Sequence, residues 1–161
     1  MIESKHIVRQ PAVQARGNAA VSHPVNPAAR RRTSSLGDAT GLTQVGVHIN
    51  VIEPGGTSTE HHRHACADEF IYVLSGQGTV CLDGNEHTVE AGDFIGFPAN
   101  GPAHAMINTG TDELVYLVGG NRPPVDVCDF PRQGKRLYIF NGTEGRRYDL
   151  IDTADLKPLH R

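Results

Sequence analysis

The stretch Gly56-Thr57-Ser58-Thr59-Glu60-His61-His62-Arg63-His64-Ala65-Cys66-Ala67-Asp68-Glu69-Phe70-Ile71-Tyr72-Val73-Leu74-Ser75-Gly76 decides how the rest of this 161-residue chain is read. His62 and His64 are two apart, so on an extended strand their side chains share one face. Glu69 has the opposite parity and joins them only if a bulge or short loop intervenes at Ala65–Asp68. After that break, Glu69, Ile71 and Val73 alternate along a new, neighbouring strand, which ends at the turn marked by Gly76 and Gly78. A later block, from Gly92 through Pro98-Ala99-Asn100-Gly101-Pro102-Ala103-His104 to Asn108, adds a third imidazole on another strand. Imidazole nitrogen and carboxylate oxygen together suit borderline divalent metals. His62, His64, Glu69 and His104 are therefore the candidate ligands of one divalent transition metal (Fe, Mn, Ni or Zn). Four such ligands leave room for water or substrate, which makes the site reactive and not purely structural. His61 has the wrong parity and is expected exposed or behind the ligands. A run of histidines alone is more often solvated surface than a metal site; the carboxylate and the second block carry the metal reading.

The two blocks resemble the paired motifs of the cupin superfamily. The first matches the family pattern at every signature position. The second has one residue more than usual between Pro98 and Gly101, in the turn before His104. The resemblance covers about residues 42–120 and implies an all-β fold, a jelly-roll β-barrel with its metal site inside. It leaves the reaction open.

Working outward, the pattern of apolar runs and turns agrees. Leu42–Ile52 reads as a strand closed by Pro54-Gly55-Gly56. Gly78–Leu82, Asp83-Gly84 and Glu86–Val89 form a hairpin signal, because Asp-Gly supplies the positive φ that a tight turn needs. Phe94–Phe97, His104–Asn108 and Glu113–Val118 follow. About eight short strands with Gly-rich turns favour a closed or double-sheet barrel whose ligands lie in its mouth. Residues 1–40 are broken by Pro11, Pro24, Pro27 and Gly37 and read as an extended N-terminal arm with one short strand. The barrel occupies 41–120, and 121–161 is a C-terminal extension packed on it, with a hairpin about Asn141-Gly142. Arm and extension expose Ile7, Val8, Val13, Val21, Val25 and Leu36 and supply strand edges, so a homodimer that covers them is expected.

Composition excludes several classes. The net charge is −3, and Arg30-Arg31-Arg32 is a short basic run read as solvated, so no basic field favours nucleic acid. No stretch approaches the about 18 apolar residues of a membrane span, and Met1–His6 lacks the apolar region of a signal peptide. Three widely spaced cysteines, Cys66, Cys81 and Cys128, read as reduced thiols of a cytoplasmic protein. Cys66 shares the parity of the two histidines: it either packs as a small buried hydrophobe or stands near the metal. Cys81 and Cys128 read as plain core residues. There is no phosphate loop, dinucleotide fingerprint or nucleophile elbow.

The expected function is a metal-dependent enzyme acting on a small organic, anionic or oxygenated molecule. Dioxygenase chemistry is the first reading and a Mn-, Zn- or Ni-dependent decarboxylase, lyase or isomerase the next. A non-catalytic sensor or carrier of a small ligand is the rival from another class. No catalytic acid or base is spelled out, and Ile71, Phe97, Met106 and Ile107 suggest mostly apolar pocket walls.

Overall fold

The structure, a computed structural model, describes residues 4–10, 12, 19–142 and 145–157. Val13 and Thr143 lie outside them. The strands are β1 (Ala20–His23), β2 (Asn26–Ser35), β3 (Val45–Ile52), β4 (Arg63–His64), β5 (Glu69–Ser75), β6 (Gln77–Leu82), β7 (Asn85–Glu90), β8 (Phe94–Phe97), β9 (His104–Ile107), β10 (Leu114–Asn121), β11 (Val125–Phe130), β12 (Lys135–Gly142) and β13 (Gly145–Asp152), with one short helix, α1 (Leu36–Thr40). One layer is a six-stranded sheet in the order β1-β2-β3-β10-β5-β8. Facing it are a four-stranded sheet, β13-β12-β11-β4, and a three-stranded sheet, β7-β6-β9. A bridge between His62 and His104 joins those two into one layer. This is an all-β jelly roll. No helix among the described residues is long and apolar enough to cross a membrane.

Alternation explains the core. Ile52, Ile71, Val73, Val80, Val89, Phe97, Met106, Leu114 and Tyr116 turn inward from both layers and form one cluster. The Asp83-Gly84 turn takes φ values of 47° and 88°, which suits a two-residue hairpin between β6 and β7. Gly76 is fixed more tightly: its φ is 86°, and a Cβ there would meet the Glu113 carbonyl oxygen at 2.4 Å. Asn108 is fully buried and structural. Its amide donates to the Ile52 and Asp112 carbonyls, and its oxygen accepts from Gly110 N–H, tying the β9–β10 turn to the end of β3.

Both flanks differ from the sequence expectation. Residues 26–35 are not a loose arm: β2 pairs antiparallel with β3, Thr33 opposite Asn50 and Ser35 opposite His48. Its inward side offers Ala29, Arg31 and Thr33 in place of large apolar residues, so no hydrophobic alternation marks it as a strand. The Arg30–Arg32 run is accordingly not uniformly solvated. Arg30 is exposed, Arg31 turns inward to donate to the Ser58 carbonyl at 2.7 Å, and Arg32 pairs with Glu113. On the other flank β12 and β13 form the hairpin, and β11, unmarked in the sequence reading, pairs with β4.

Candidate metal centre

His62, His64, Glu69 and His104 reach the site from three directions. Glu69 opens β5 and points inward beside Phe97 of β8. His62 and His104 exchange backbone hydrogen bonds of 3.0 and 2.7 Å across their bridge. His64 follows on β4, whose hydrogen-bonded neighbours are β11 and, through that bridge, β9. It is not paired with β5, as the sequence reading had it, because the Ala65–Asp68 break carries the chain to the opposite layer. The parity argument for the two histidines holds: their rings lie 5.1 Å apart, edge to face.

Donor atoms of His62, Glu69 and His104 all lie within 4.8 Å of one another. His104 Nε2 is 2.9 Å and His62 Nε2 3.8 Å from Glu69 Oε2. Two donors each about 2.0–2.2 Å from one ion can be no more than about 4.4 Å apart, and both separations meet that limit. His64 sits at the side of this triad. It groups instead with His62 and Cys128, whose donor atoms are likewise within 4.8 Å.

The far side of each imidazole is anchored. His62 Nδ1 contacts the Glu60 carbonyl at 2.9 Å, His104 Nδ1 the Pro102 carbonyl at 3.3 Å, and His64 Nδ1 the Asp126 carboxylate at 2.6 Å. For His62 and His64 the contact favours the proton on Nδ1 and leaves Nε2 as the electron-pair donor, the arrangement by which proteins orient metal-binding histidines. His104 Nε2 instead donates to Glu69 and would give up that proton to a metal. Phe97 stacks on His104 with centroids 3.6 Å apart, fixing its plane. The extra residue before His104 is absorbed by Asn100, which adopts φ 59° while its N–H bonds the His64 carbonyl. The loop is thereby tied to the site.

Electrostatics prepare the same state. Burial lowers the pKa of His62 to about 3 against the opposing pull of Glu69, so it is neutral at pH 7. Burial alone would raise Glu69, but the His104 hydrogen bond and the surrounding imidazoles bring it down to about 2. Neutral imidazole and ionised carboxylate are the forms a metal binds. His64 is raised overall: burial opposes its charged form, and the Asp126 hydrogen bond outweighs that. The donor set fits a divalent transition metal.

The triad opens on a cavity of about 210 Å³ whose walls divide into an apolar part and a polar part. Ile71, Phe97 and Met106 line one part, as the sequence suggested, with Val80 in place of the expected Ile107. The β2–β3 wall is polar: Arg31, Thr33, His48 and Asn50, with Tyr116 beside them. Arg31 Nε, Thr33 Oγ1, His48 Nδ1 and Asn50 Oδ1 are all buried with no hydrogen-bond partner among the described residues. His61, at the end of the bend over Ser58–His61, is buried, which removes the exposed reading and leaves the one that puts it behind the ligands. Cys66 is exposed and neither packs in the core nor joins the donors; its backbone N–H bonds Asp126 in the break that follows β4. Arg31, His48, Asp126 and Cys128 were missed because they lie outside the two blocks or carry no spacing signal.

The Cupin domain profile matches residues 48–120. A provisionally assigned sugar phosphate isomerase from Acidithiobacillus ferrooxidans superposes with a TM-score of 0.88 at 41% identity, covering 98% of each chain. A cupin-superfamily sugar phosphate isomerase from Silicibacter pomeroyi superposes with a TM-score of 0.69 at 30% identity, covering 79% of this chain and 80% of that one. Auxin-binding protein 1 of Arabidopsis thaliana is 35% identical over 96 residues, 54% of this chain and 47% of that protein. The chain thus spans about half the length of the curated relatives it matches. With the paired histidine–glutamate blocks set in a jelly roll, these likenesses make the chain a member of the cupin superfamily.

Proposed function

We propose that the protein is a metal-dependent isomerase of a small phosphorylated sugar. One observation carries this reading: four buried polar atoms without hydrogen-bond partners among the described residues, on Arg31, Thr33, His48 and Asn50, line a single wall of the cavity that holds the donor triad. Buried polar groups are normally satisfied, so such a wall calls for a ligand rich in hydroxyl groups. Arg31 adds a sign. Its guanidinium is half-buried and, among the described residues, bonds only a carbonyl and no carboxylate, which suits an anionic ligand such as phosphate. The names of the two superposed isomerases agree with this class. Dioxygenase chemistry on an aromatic or thiol substrate would be served better by an apolar wall than by this one.

When bound by His62, Glu69 and His104 with His64 beside them, the metal supplies Lewis-acid polarisation of a carbonyl or hydroxyl oxygen. Arg31 holds the anionic end of the substrate, and Thr33 and Asn50 bond its hydroxyls. Aldose–ketose isomerisation then needs a proton carried between adjacent carbons. His48 is suited to it: burial and the nearby Arg122 lower its pKa against the pull of Asp38, so its Nδ1 is free to accept a proton at pH 7. Tyr116, pushed up to about 12 by burial, remains a neutral phenol that accepts from the Asn50 amide at 3.3 Å and can orient it.

The test is deuterium exchange. Protein reconstituted separately with Fe2+, Mn2+, Zn2+, Co2+ and Ni2+ is incubated in D2O with aldose and ketose phosphates, with oxalate and with catechols, and followed by NMR. Deuterium at the carbon next to the carbonyl of one sugar phosphate is the expected result. Exchange in none of them, with turnover of oxalate or a catechol, would overturn the reading in favour of the decarboxylase or dioxygenase. Binding without turnover on the whole panel would favour the non-catalytic carrier.

A further inference from the structure

A thiol that this mechanism leaves unused stands beside the same histidines. β11 turns Asp126, Cys128 and Phe130 inward, and Cys128 lies directly opposite His64 in the β11–β4 ladder. Its sulfur and one ring nitrogen each of His62 and His64 lie within 4.8 Å of one another. His62 therefore belongs to two overlapping donor triads, one with Glu69 and His104, the other with His64 and Cys128. The second is enclosed: Cys128 is 3% exposed and free of any disulfide, and the Phe130 ring lies 6.2 Å from that of His62. Its orientation is supported as well, since His64 Nδ1 is held by Asp126, two residues before Cys128 on the same strand.

We propose that His62, His64 and Cys128 form a softer donor set at the metal centre, giving thiophilic ions such as Co2+, Zn2+ or Cd2+ a sulfur ligand that a hard ion such as Mn2+ does not use. Thiolate selects soft and borderline ions, carboxylate hard ones, and this chain offers both around one shared imidazole. On binding, the Sγ–H bond breaks, the proton passes to solvent and the metal–sulfur bond takes its place. Cys128 then couples the identity of the metal to the side of the cavity on which it sits.

The experiment is a Co2+ titration of the full-length protein under reducing, anaerobic conditions, read by near-ultraviolet absorption. One equivalent should produce a thiolate-to-cobalt charge-transfer band in the wild type and in Cys66→Ser, which removes the exposed thiol, and none in Cys128→Ser. Cd2+ affinity should fall at least about tenfold in Cys128→Ser, the lower end of what even an outer partner of a metal contributes, with Mn2+ affinity unchanged. Should Cys128→Ser fail to fold, 113Cd NMR of the wild type reads sulfur ligation without a substitution, and a shift typical of nitrogen and oxygen donors alone overturns the proposal. So does a wild-type cobalt complex without the band, or a band that survives in Cys128→Ser. The inference rests on the metal assignment and not on the isomerase reading. Cobalt bound without the band overturns this proposal alone, whereas failure to bind cobalt overturns the metal assignment with it.

Discussion

The central strands and the flanking strands meet around the candidate metal centre and contribute different things to it. The segment from Gly56 to Ile107 brings His62, His64, Glu69 and His104, the groups that can bond a metal. The flanks bring Arg31 from β2, which lines the cavity, Asp126 from β11, which holds His64, and Cys128, the donor proposed above. The lesson is that a donor set by itself leaves both metal and reaction open. In the proposed isomerase the polar wall of β2 and β3 narrows the substrate, and β11 sets how one imidazole is held.

The largest effect should come from breaking the central part. His62→Ala or His104→Ala removes a metal bond and should lower affinity by more than the about hundredfold attached to loss of an outer partner. Metal analysis after dialysis reads it, and full occupancy in the double variant would dissolve the distinction between donors and supports. His48→Gln tests the wall: kcat should drop about 10²–10⁴-fold, the usual contribution of a general base, with metal content unchanged. An unaltered kcat would leave His48 a passive lining residue.

Asp126→Asn probes the flank from the metal's side. It weakens the bond that orients His64 and should cost about ten- to a hundredfold in metal affinity, measured by competitive chelation. Arg31→Gln probes it from the substrate's side. Loss of a charge-assisted hydrogen bond costs about 1.5–3 kcal/mol, or about ten- to a hundredfold in KM for a phosphorylated substrate. Non-phosphorylated analogues and metal content should be unaffected; equal losses on both substrate types would show that Arg31 holds the wall together and does not read the anion.

The smallest and broadest effect is on pH dependence of the metal-free protein. His62 is lowered from 6.5 to about 3, so between those values the unfolded chain takes up a proton that the folded one refuses, and stability falls as pH falls. Glu69, lowered from 4.5 to about 2, acts in the same sense: its contribution is present above 4.5 and is lost as pH drops through about 2. His64 works the other way, since its raised value gives stability that is full below 6.5 and lost as pH rises through the folded value. Thermal melts between pH 7 and 3 should thus decline, and His64→Gln should steepen only the uppermost part of the decline, around and above pH 6.5, where the opposing contribution still changes. A Tm that rises on acidification would contradict the balance.

The jelly roll and the four candidate ligands were legible because both depend on local rules. Strand parity places His62 with His64, the Ala65–Asp68 break lets Glu69 join them, and Asp83-Gly84 and Gly76 mark turns through backbone conformations that few residues tolerate. Long-range pairing leaves no such trace. Nothing in Asn26–Ser35 announces that it will lie against β3 with Arg31 inward, because a strand facing a polar cavity has no apolar alternation to show. Nothing in Val125–Phe130 announces that Cys128 will stand opposite His64, some sixty residues away, since register across two layers is settled only when the whole core packs. By itself the sequence named four candidate metal donors and the strand pattern that carries them. Tertiary structure alone decided which polar groups surround them, because burial, hydrogen-bond partners and cavity walls are properties of neighbours in space and not of neighbours in the chain.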